Sequence, residues 1–173
     1  MVKLLFMGSE FGQVSEWSEQ DGLEWWVLGY DFHHGAQQLV RDLNRVYGAS
    51  PALWQQDSSP EGFSWIDADD ASGNMLSFLR FAHPGARQTP DPGAAVMACI
   101  ANFSAAPHID YRVGLPFAGR WRELINTDAL VYGGSGVGNL GMVEAVPEPW
   151  HGKPASARLT VPPLGVLWLA PDT

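Results

Sequence analysis

The sequence predicts a mainly β fold, in which a C-terminal antiparallel β-sandwich follows one β/α unit. Two observations lead to this prediction. Residues 1–48 contain one short apolar run and one helical pattern, whereas residues 49–173 contain a series of short strand candidates. In addition, 19 glycines and 13 prolines among 173 residues imply many turns, and therefore many short strands.

The β/α unit begins with the apolar run KLLFM at residues 3–7, which predicts a short buried strand that ends at Gly8. Residues 8–32 have neither helical nor strand periodicity, and an irregular loop of this length is usually functional. A helical stripe follows in residues 33–47: Ala36, Leu39, Val40, Leu43, Val46 and Tyr47. This stripe predicts an amphipathic helix with Gly48 as its C-cap.

The strand candidates of the second unit are GFSWID, MLSFLRF, AVMACIANF, HIDYRVGL, GRWRELIN, ARLTV and GVLWLAP. Turn residues separate them, and such spacing is typical of an antiparallel sandwich. Trp65, Trp121 and Trp168 lie within strand patterns, so we expect them in the core. One strand and one helix cannot form a closed unit alone. We therefore expect residues 1–48 to be less firmly anchored than residues 60–173.

The charge and cysteine content limit the class of partner. Ten basic against 19 acidic residues give a net charge of −9, which disfavours nucleic acid and anionic membranes as partners. No run approaches 18 apolar residues, so no membrane span is expected. The single cysteine, Cys99, lies in an apolar run and is expected to be a buried structural thiol. Together with a start that lacks signal-peptide features, this predicts a cytoplasmic protein.

The run GVGNLG at residues 136–141 matches the spacing of a dinucleotide-binding glycine fingerprint. That fingerprint requires a preceding strand and a following helix, whose N-terminus faces the pyrophosphate. Pro147, Pro149 and Pro154 rule out a helix interior after it. The run is therefore predicted to be a glycine-rich surface loop.

Several motifs together resemble bacterial 1,4-α-glucan (glycogen) branching enzymes: KLLFMGSEFGQVSEW, LVRDLN, EGFSWIDADD, NFS, DYRVGLP, GRWRELINTDA, GSGVGNLG and LTVPPLGVLWL. The resemblance covers essentially the whole chain. The turn HPGARQTPDPG at residues 83–93 looks longer than the usual turn of that family.

The resemblance implies an α-amylase-like parent enzyme, whose (β/α)₈ barrel needs about 250 residues and does not fit in this chain. The match begins at the last barrel strand, and the motifs that carry the three catalytic acids are absent. The chain therefore resembles the last β/α unit of a truncated barrel (1–48) followed by the family's C-terminal β-domain (49–173). No catalytic residue is expected in it.

The parent reaction implied by the resemblance is retaining transglycosylation, in which a 6-hydroxyl of another glucan replaces water and creates an α-1,6 branch. It needs no metal and no organic cofactor. The expected partners are an α-glucan, such as glycogen or a maltooligosaccharide, and the missing barrel. His33 and His34 point about 100° apart on a helix, so no metal site is expected there.

Candidate glucan-binding residues lie in the loop after the predicted barrel strand, at the face where barrel active sites form. Glu10 occupies the matching MGxEF position, and Trp17, Trp25 and Trp26 are able to stack on sugar rings. The other loop acids, Glu16, Glu19 and Glu24, lack the rigid support that a catalytic carboxylate pair needs.

Two alternatives remain open from the sequence. One is an independent carbohydrate-binding sandwich, in which Asn126, Asp128 and Tyr132 hydrogen-bond a glucan, although such residues are also ordinary turn formers. The other is a piece of a different α-amylase-like enzyme, such as a trehalose-forming or debranching hydrolase.

Overall fold

The computed structural model describes residues 4–85 and 95–172, so most of the turn at 83–93 lies outside the described residues. Its one long helix, α1, spans Asp31–Ala49. The strands of the described residues are β1 Phe63–Asp67, β2 Met75–Phe81, β3 Val96–Asn102, β4 His108–Leu115, β5 Gly119–Asn126, β6 Met142–Val146, β7 Ala155–Val161 and β8 Val166–Pro171. Two short 3-10 turns precede the helix, at Ser9–Phe11 and Trp25–Gly29, and others follow it at Pro51–Leu53, Pro60–Gly62 and Leu130–Tyr132.

The strands form one antiparallel sheet in the order β1-β2-β3-β8-β5-β6-β7-β4. Side chains from both halves of the sheet share one hydrophobic core: Met75, Leu79, Ile100 and Leu169 pack with Val113, Leu115, Leu159 and Val161. Trp121 of β5 is fully buried in this core. Because one core contains both halves, the sheet must fold back on itself. The predicted antiparallel β-sandwich is confirmed.

Side chains, rather than a strand ladder, join the two edge strands where the folded sheet closes. Tyr111 donates a hydrogen bond of 3.4 Å to Asp70. The Nε2 atom of His108 lies 2.8 Å from the carbonyl oxygen of Gly73. Across the same seam, Lys153 donates to the hydroxyl of Ser64 at 3.0 Å. These contacts join β4 to the turn after β1, and β1 to the segment before β7, so the two ends of the folded sheet are held together by side chains.

Helix α1 packs on the outer face of this sheet. Its apolar stripe joins a second hydrophobic cluster: Leu39, Leu43, Val46 and Tyr47 from the helix contact Met97, Leu124, Ile125, Trp168 and Ala170 from β3, β5 and β8. The hydroxyl of Tyr132 also donates a 2.7 Å hydrogen bond to Asp42. The expectation that all of residues 1–48 are poorly anchored is therefore wrong for the helix, whose apolar side finds a partner on the sheet.

Three local predictions are corrected by the structure. Leu4–Met7 of the predicted first strand forms no strand and is exposed, since no neighbouring strand pairs with it in the described residues. Helix α1 begins two residues earlier and ends two residues later than predicted, with Ser50 rather than Gly48 in the C-cap position. Strand β6 is not among the predicted strands, because its five residues lie between a glycine-rich loop and a proline-rich run that both favour irregular structure.

The loop prediction for residues 136–141 is confirmed. Gly136 and Gly141 have φ angles of 79° and 89°, in the left-handed region that favours glycine. The carboxylate of Asp128 accepts hydrogen bonds from the backbone N–H groups of Ser135 and Val137. Strand β6, not a helix, follows the run. The glycines therefore form turns around Asp128 and face no helix N-terminus.

The contact between α1 and the Leu130–Tyr132 turn gives a test of the helix packing. A Cβ atom at Gly35 would collide with the backbone carbonyl of Tyr132. We expect Gly35→Ala to lower the free energy of unfolding by about 1–3 kcal/mol, the usual cost of overpacking. The matched control is Gly48→Ala on the same helix, which meets nothing within 4 Å. This control is expected to stabilise the chain by up to ~1 kcal/mol. Urea unfolding of both variants checks the pair, and equal effects would contradict the packing.

Candidate functional site

The segment of residues 4–30 contains all four candidate glucan-binding residues and is held together by its own hydrogen bonds. The carboxylate of Glu24 accepts from the backbone N–H groups of Val14 and Ser15, each at 3.1 Å, and from the Ser15 hydroxyl at 2.8 Å. The backbone N–H of Glu24 donates in turn to the side chain of Gln13 at 3.1 Å. These contacts close the loop, so Glu24 has a structural role here.

The loop is tied to α1 at its far end. The Nδ1 atom of His33 lies 2.9 Å from the carbonyl oxygen of Phe11. His33 thus contacts the backbone of the loop, whereas the side chain of His34 lies 3.3 Å from that of Gln38, one turn along the helix. The two histidines have different partners, as their divergent directions on a helix predict. Among residues 4–85 and 95–172, no group of three or more His, Cys, Asp or Glu is arranged to hold a metal ion.

Glu10 and Trp17 lie in neighbouring grooves. Glu10 lines a groove of about 510 Å³ between the loop and α1, with Leu5, Met7, Leu23, Gln37, Val40, Arg41 and Asn44. Trp17 lines a smaller groove of about 310 Å³ with Phe6, Met7, Ser9, Gln13, Ser15 and Glu16. Met7 is common to both. The structure therefore brings an acid and an aromatic ring to two sides of one apolar run.

Trp25 and Trp26 lie on the 3-10 turn that precedes α1. The ring of Trp25 packs on Phe11 with 4.9 Å between ring centroids, and the ring of Trp26 meets Tyr30 edge-on at 6.2 Å. Both tryptophans are more than half exposed, at 55% and 64%. Trp26 is therefore the more available of the two for stacking, whereas one face of Trp25 is occupied. The glucan-binding roles of these residues remain a prediction.

The three sandwich tryptophans have different environments. Trp121 is fully buried, as predicted, and Trp168 is partly buried in the cluster beneath α1. The prediction for Trp65 is wrong: it is 49% exposed on the outer face of β1. Its ring forms an aromatic patch with Phe63 and Phe78, at 4.8 Å and 6.1 Å. The run GFSWID predicts a strand at Trp65, but a strand has two faces and the sequence does not indicate which one meets the core.

The polar residues singled out near residues 126–132 are engaged in internal contacts. The side-chain amide of Asn126 donates to the carbonyl of Val137 at 2.9 Å, and Tyr132 donates to Asp42. Burial raises the pKa of Asp128, but hydrogen bonds from Ser135 and Val137 outweigh it and hold that pKa below its usual range. These groups act as turn formers, which leaves less hydrogen-bonding capacity for a ligand.

Cys99 is buried on β3. Burial raises the pKa of its thiol to about 12. A thiol with so high a pKa stays protonated at neutral pH and is a poor nucleophile.

Among the described residues, no helix has the length and apolar character required to cross a membrane.

Comparison with known proteins bears on this geometry. The family described as the alpha amylase C-terminal all-beta domain matches residues 65–172, the part of the chain that forms the folded sheet. The chain belongs to this family. All eight strands described above except the first residues of β1 lie within the matched range of the α-amylase C-terminal domain.

Close relatives extend the similarity to the whole chain of this α-amylase C-terminal domain protein. It is 56% identical over 170 residues to the 1,4-alpha-glucan branching enzyme GlgB of Mycolicibacterium paratuberculosis. It is 57% identical over 170 residues to that of Mycobacterium ulcerans, and 59% identical over 167 residues to that of Leifsonia xyli subsp. xyli. These alignments cover 96–98% of the chain but only 22% of each relative. The chain thus spans about a fifth of the length of the curated relatives it matches.

The contacts of Glu24 predict a pH-dependent loop. Hydrogen bonds from Ser15, foremost the one from its backbone N–H, lower the pKa of Glu24 from 4.5. A lowered folded-state pKa stabilises the closed loop above the ordinary carboxyl value and loses that effect as pH falls through the folded pKa. We expect slow amide exchange at Val14 and Ser15 near pH 7 and faster opening, after correction for intrinsic rates, near pH 3.5.

Two variants check this prediction. Glu24→Gln is expected to open the loop at pH 7, because the amide lacks the charge that strengthens all three hydrogen bonds. The matched control is Glu19→Gln, a change at an exposed acid of the same loop. Identical exchange in both variants and the unmodified chain would show that Glu24 does not hold the loop.

Proposed function

We propose that this chain acts as the C-terminal segment of a 1,4-α-glucan branching enzyme. The observation that carries the proposal is the 56–59% identity to branching enzymes over 96–98% of the chain. The names of these relatives favour branching over the trehalose-forming or debranching reactions of other α-amylase-like enzymes. The whole enzyme would cut an α-1,4 linkage and transfer the glucan to a 6-hydroxyl with retention of configuration.

In this proposal residues 1–48 are the last strand, loop and helix of the catalytic barrel, and residues 49–173 are the C-terminal domain. The exposed run Leu4–Met7 supports this division, because unpaired apolar backbone is what a strand separated from its sheet presents. Helix α1 would connect the two domains, since one side packs on the sheet and another lines the groove that contains Glu10. The barrel is then a covalent partner of the β-domain.

The four loop residues would contact the glucan at the edge of the active-site cleft. Glu10 is half-buried beside α1 and would accept hydrogen bonds from sugar hydroxyls. Trp17, Trp25 and Trp26 expose ring surface on the same segment. Because glucose rings have apolar faces, exposed indoles offer stacking platforms. The catalytic acids would come from the rest of the barrel.

One observation favours a second candidate function, carbohydrate binding by the β-domain itself. Phe63, Trp65 and Phe78 form an aromatic patch on the outer face of β1 and β2. The rings of Phe63 and Trp65 keep 37% and 49% of their surface exposed. An exposed patch of this kind marks a binding surface, and aromatic rings suit a sugar. The two functions are compatible in one enzyme.

We also propose a cytoplasmic location. The single cysteine supports it, since disulfide-stabilised proteins of oxidising compartments use more cysteines.

The proposal predicts that the isolated chain does not branch amylose. Retaining transfer needs two carboxyl groups about 5 Å apart on rigid elements, and the loop acids lack that support. Iodine staining of amylose incubated with the purified chain checks this, with a full-length branching enzyme as the positive control. A spectral shift that depends on this chain and disappears in Glu10→Gln would contradict the proposal.

The proposal also predicts weak glucan binding by the isolated chain. A few stacked rings contribute ~1 kcal/mol each beyond buried area, and association costs several kcal/mol. We therefore expect a Kd for maltoheptaose on the order of millimolar. Trp26→Ala and Trp65→Ala should each weaken binding severalfold, measured by titration calorimetry.

The matched control is Trp54→Ala, since Trp54 has a similar exposure of 41% and lies outside both aromatic surfaces. A micromolar Kd that survives Trp26→Ala but not Trp65→Ala would make the β-domain, rather than the loop, the main glucan-binding element.

A further inference from the structure

A third surface, the seam groove, lies where the edges of β1 and β4 meet. This groove has a volume of about 550 Å³ and includes Asp69, Asp70, Ile109, Tyr111, Arg112 and Trp150 in its lining. It shares no residue with the aromatic patch or with the grooves that contain Glu10 and Trp17. The seam groove is therefore a separate feature of the folded sheet.

Trp150 presents an oriented ring in the seam groove. The guanidinium carbon of Arg112 lies 4.7 Å from the centroid of the Trp150 ring. Arg112 is itself fixed, because its Nε donates to Ser156 at 3.0 Å and its Nη2 donates to Glu148 at 2.7 Å. The indole still keeps 42% of its surface exposed. The ring of His151 also packs against it, with 5.4 Å between ring centroids. A ring held in place by these contacts loses little conformational freedom when a ligand packs on the surface that it still exposes.

Polar acceptors lie beside this ring. The carboxylate of Asp70 is positioned by the backbone N–H of Gly73 at 2.8 Å and by the hydroxyl of Tyr111 at 3.4 Å. Asp69 is exposed, and its carboxylate has no hydrogen-bond partner within residues 4–85 and 95–172. Ile109, which is 68% exposed, adds apolar surface. A ring, an aliphatic side chain and fixed acceptors match the apolar face and hydroxyl rim of a hexose.

His151 lies at the side of the same groove. Its Nε2 lies 3.4 Å from a carboxylate oxygen of Asp67, and its Nδ1 is buried without a hydrogen-bond partner in the described part of the chain. Because this nitrogen has almost no accessible surface, a ligand in the groove reaches it only if the imidazole ring turns.

The charges of the seam groove disfavour an anionic ligand. Asp110 is paired with Arg158, and a carboxylate oxygen of Asp67 lies 3.4 Å from the Nε2 atom of His151. The remaining acidic excess disfavours phosphates and nucleic acid. Within residues 4–85 and 95–172, neither Asp69 nor Asp70 forms an ion pair, so a basic peptide is the competing ligand that the experiment must exclude. An uncharged polyhydroxylated molecule is not repelled by these carboxylates and can donate hydroxyl hydrogen bonds to them.

We propose that the seam groove binds a neutral α-glucan chain, with one glucose ring stacked on Trp150 and its hydroxyls bonded to Asp69 and Asp70. The choice of α-glucan among neutral sugars rests on the proposed function. In the full enzyme this surface would hold an outer chain of the glucan away from the active-site loop.

Site-resolved NMR on the full ¹⁵N-labelled chain tests the proposal. The Trp65→Ala variant serves as the background, so that the aromatic patch does not dominate the titration. We expect maltoheptaose to shift the indole signal of Trp150 and the backbone amides of Asp69 and Tyr111 with a common millimolar Kd. Trp150→Ala, followed at the two amides, should weaken binding about fivefold, and Asp69→Ala about threefold. Trp54→Ala should leave the Kd unchanged.

The outcomes separate this inference from the proposed function. Shifts confined to Trp17, Trp25 and Trp26 would overturn the seam groove and leave the proposed function in place. Shifts at Trp150 with tetralysine but not with maltoheptaose would overturn the proposal in favour of a basic-peptide site. Equal shifts with cellohexaose would refute α-glucan selectivity. Unchanged spectra at every indole would count against both the groove and the loop as glucan-binding surfaces.

Discussion

The folding of one sheet onto itself is the constraint on which the rest of this structure depends. Trp121 and its neighbours bury both inner halves of the sheet in a single core, and this burial is the main stabilising contribution of the domain. Once the inner face is used, the two remaining surfaces are an outer face and a seam. Helix α1 occupies part of the outer face, and the aromatic patch lies on another part. The seam groove exists because edge strands that meet without a ladder leave space for side chains.

Most of the fold could be predicted from sequence, because short apolar and aromatic runs and the turn residues between them are local signals. Seven of the strands were predicted as short runs between turn residues, and the helix follows a 3.6-residue stripe. Strand β6 is the exception, since it is only five residues long and lies directly before a proline-rich run. The run Leu4–Met7 has the composition of a buried strand, but a strand needs neighbours that this part of the chain does not provide. The composition of this run favours a strand, but a strand forms only where a neighbouring strand is available for backbone hydrogen bonds.

The candidate sites were less predictable than the fold. The loop tryptophans were found because a long irregular segment rich in aromatic residues is itself a signal. Trp65 was expected in the core because it lies in a strand pattern. A strand has two faces, and only the folded sheet determines which of them is buried. Trp150 carried no signal at all. Its surroundings come from β1, β4 and a distant turn, which meet only when the sheet closes.

The position of α1 changes what counts as a separable unit. Sequence texture changes after residue 48, yet Val46 and Tyr47 share a hydrophobic cluster with Ile125 and Ala170 across that boundary. An exchange of β-domains between related proteins at residue 48 would leave both hybrid proteins with a mismatched hydrophobic interface between helix and sheet. The helix and the β-domain therefore form one packed unit, and substitutions at the two sides of this cluster are expected to co-vary among relatives of this chain.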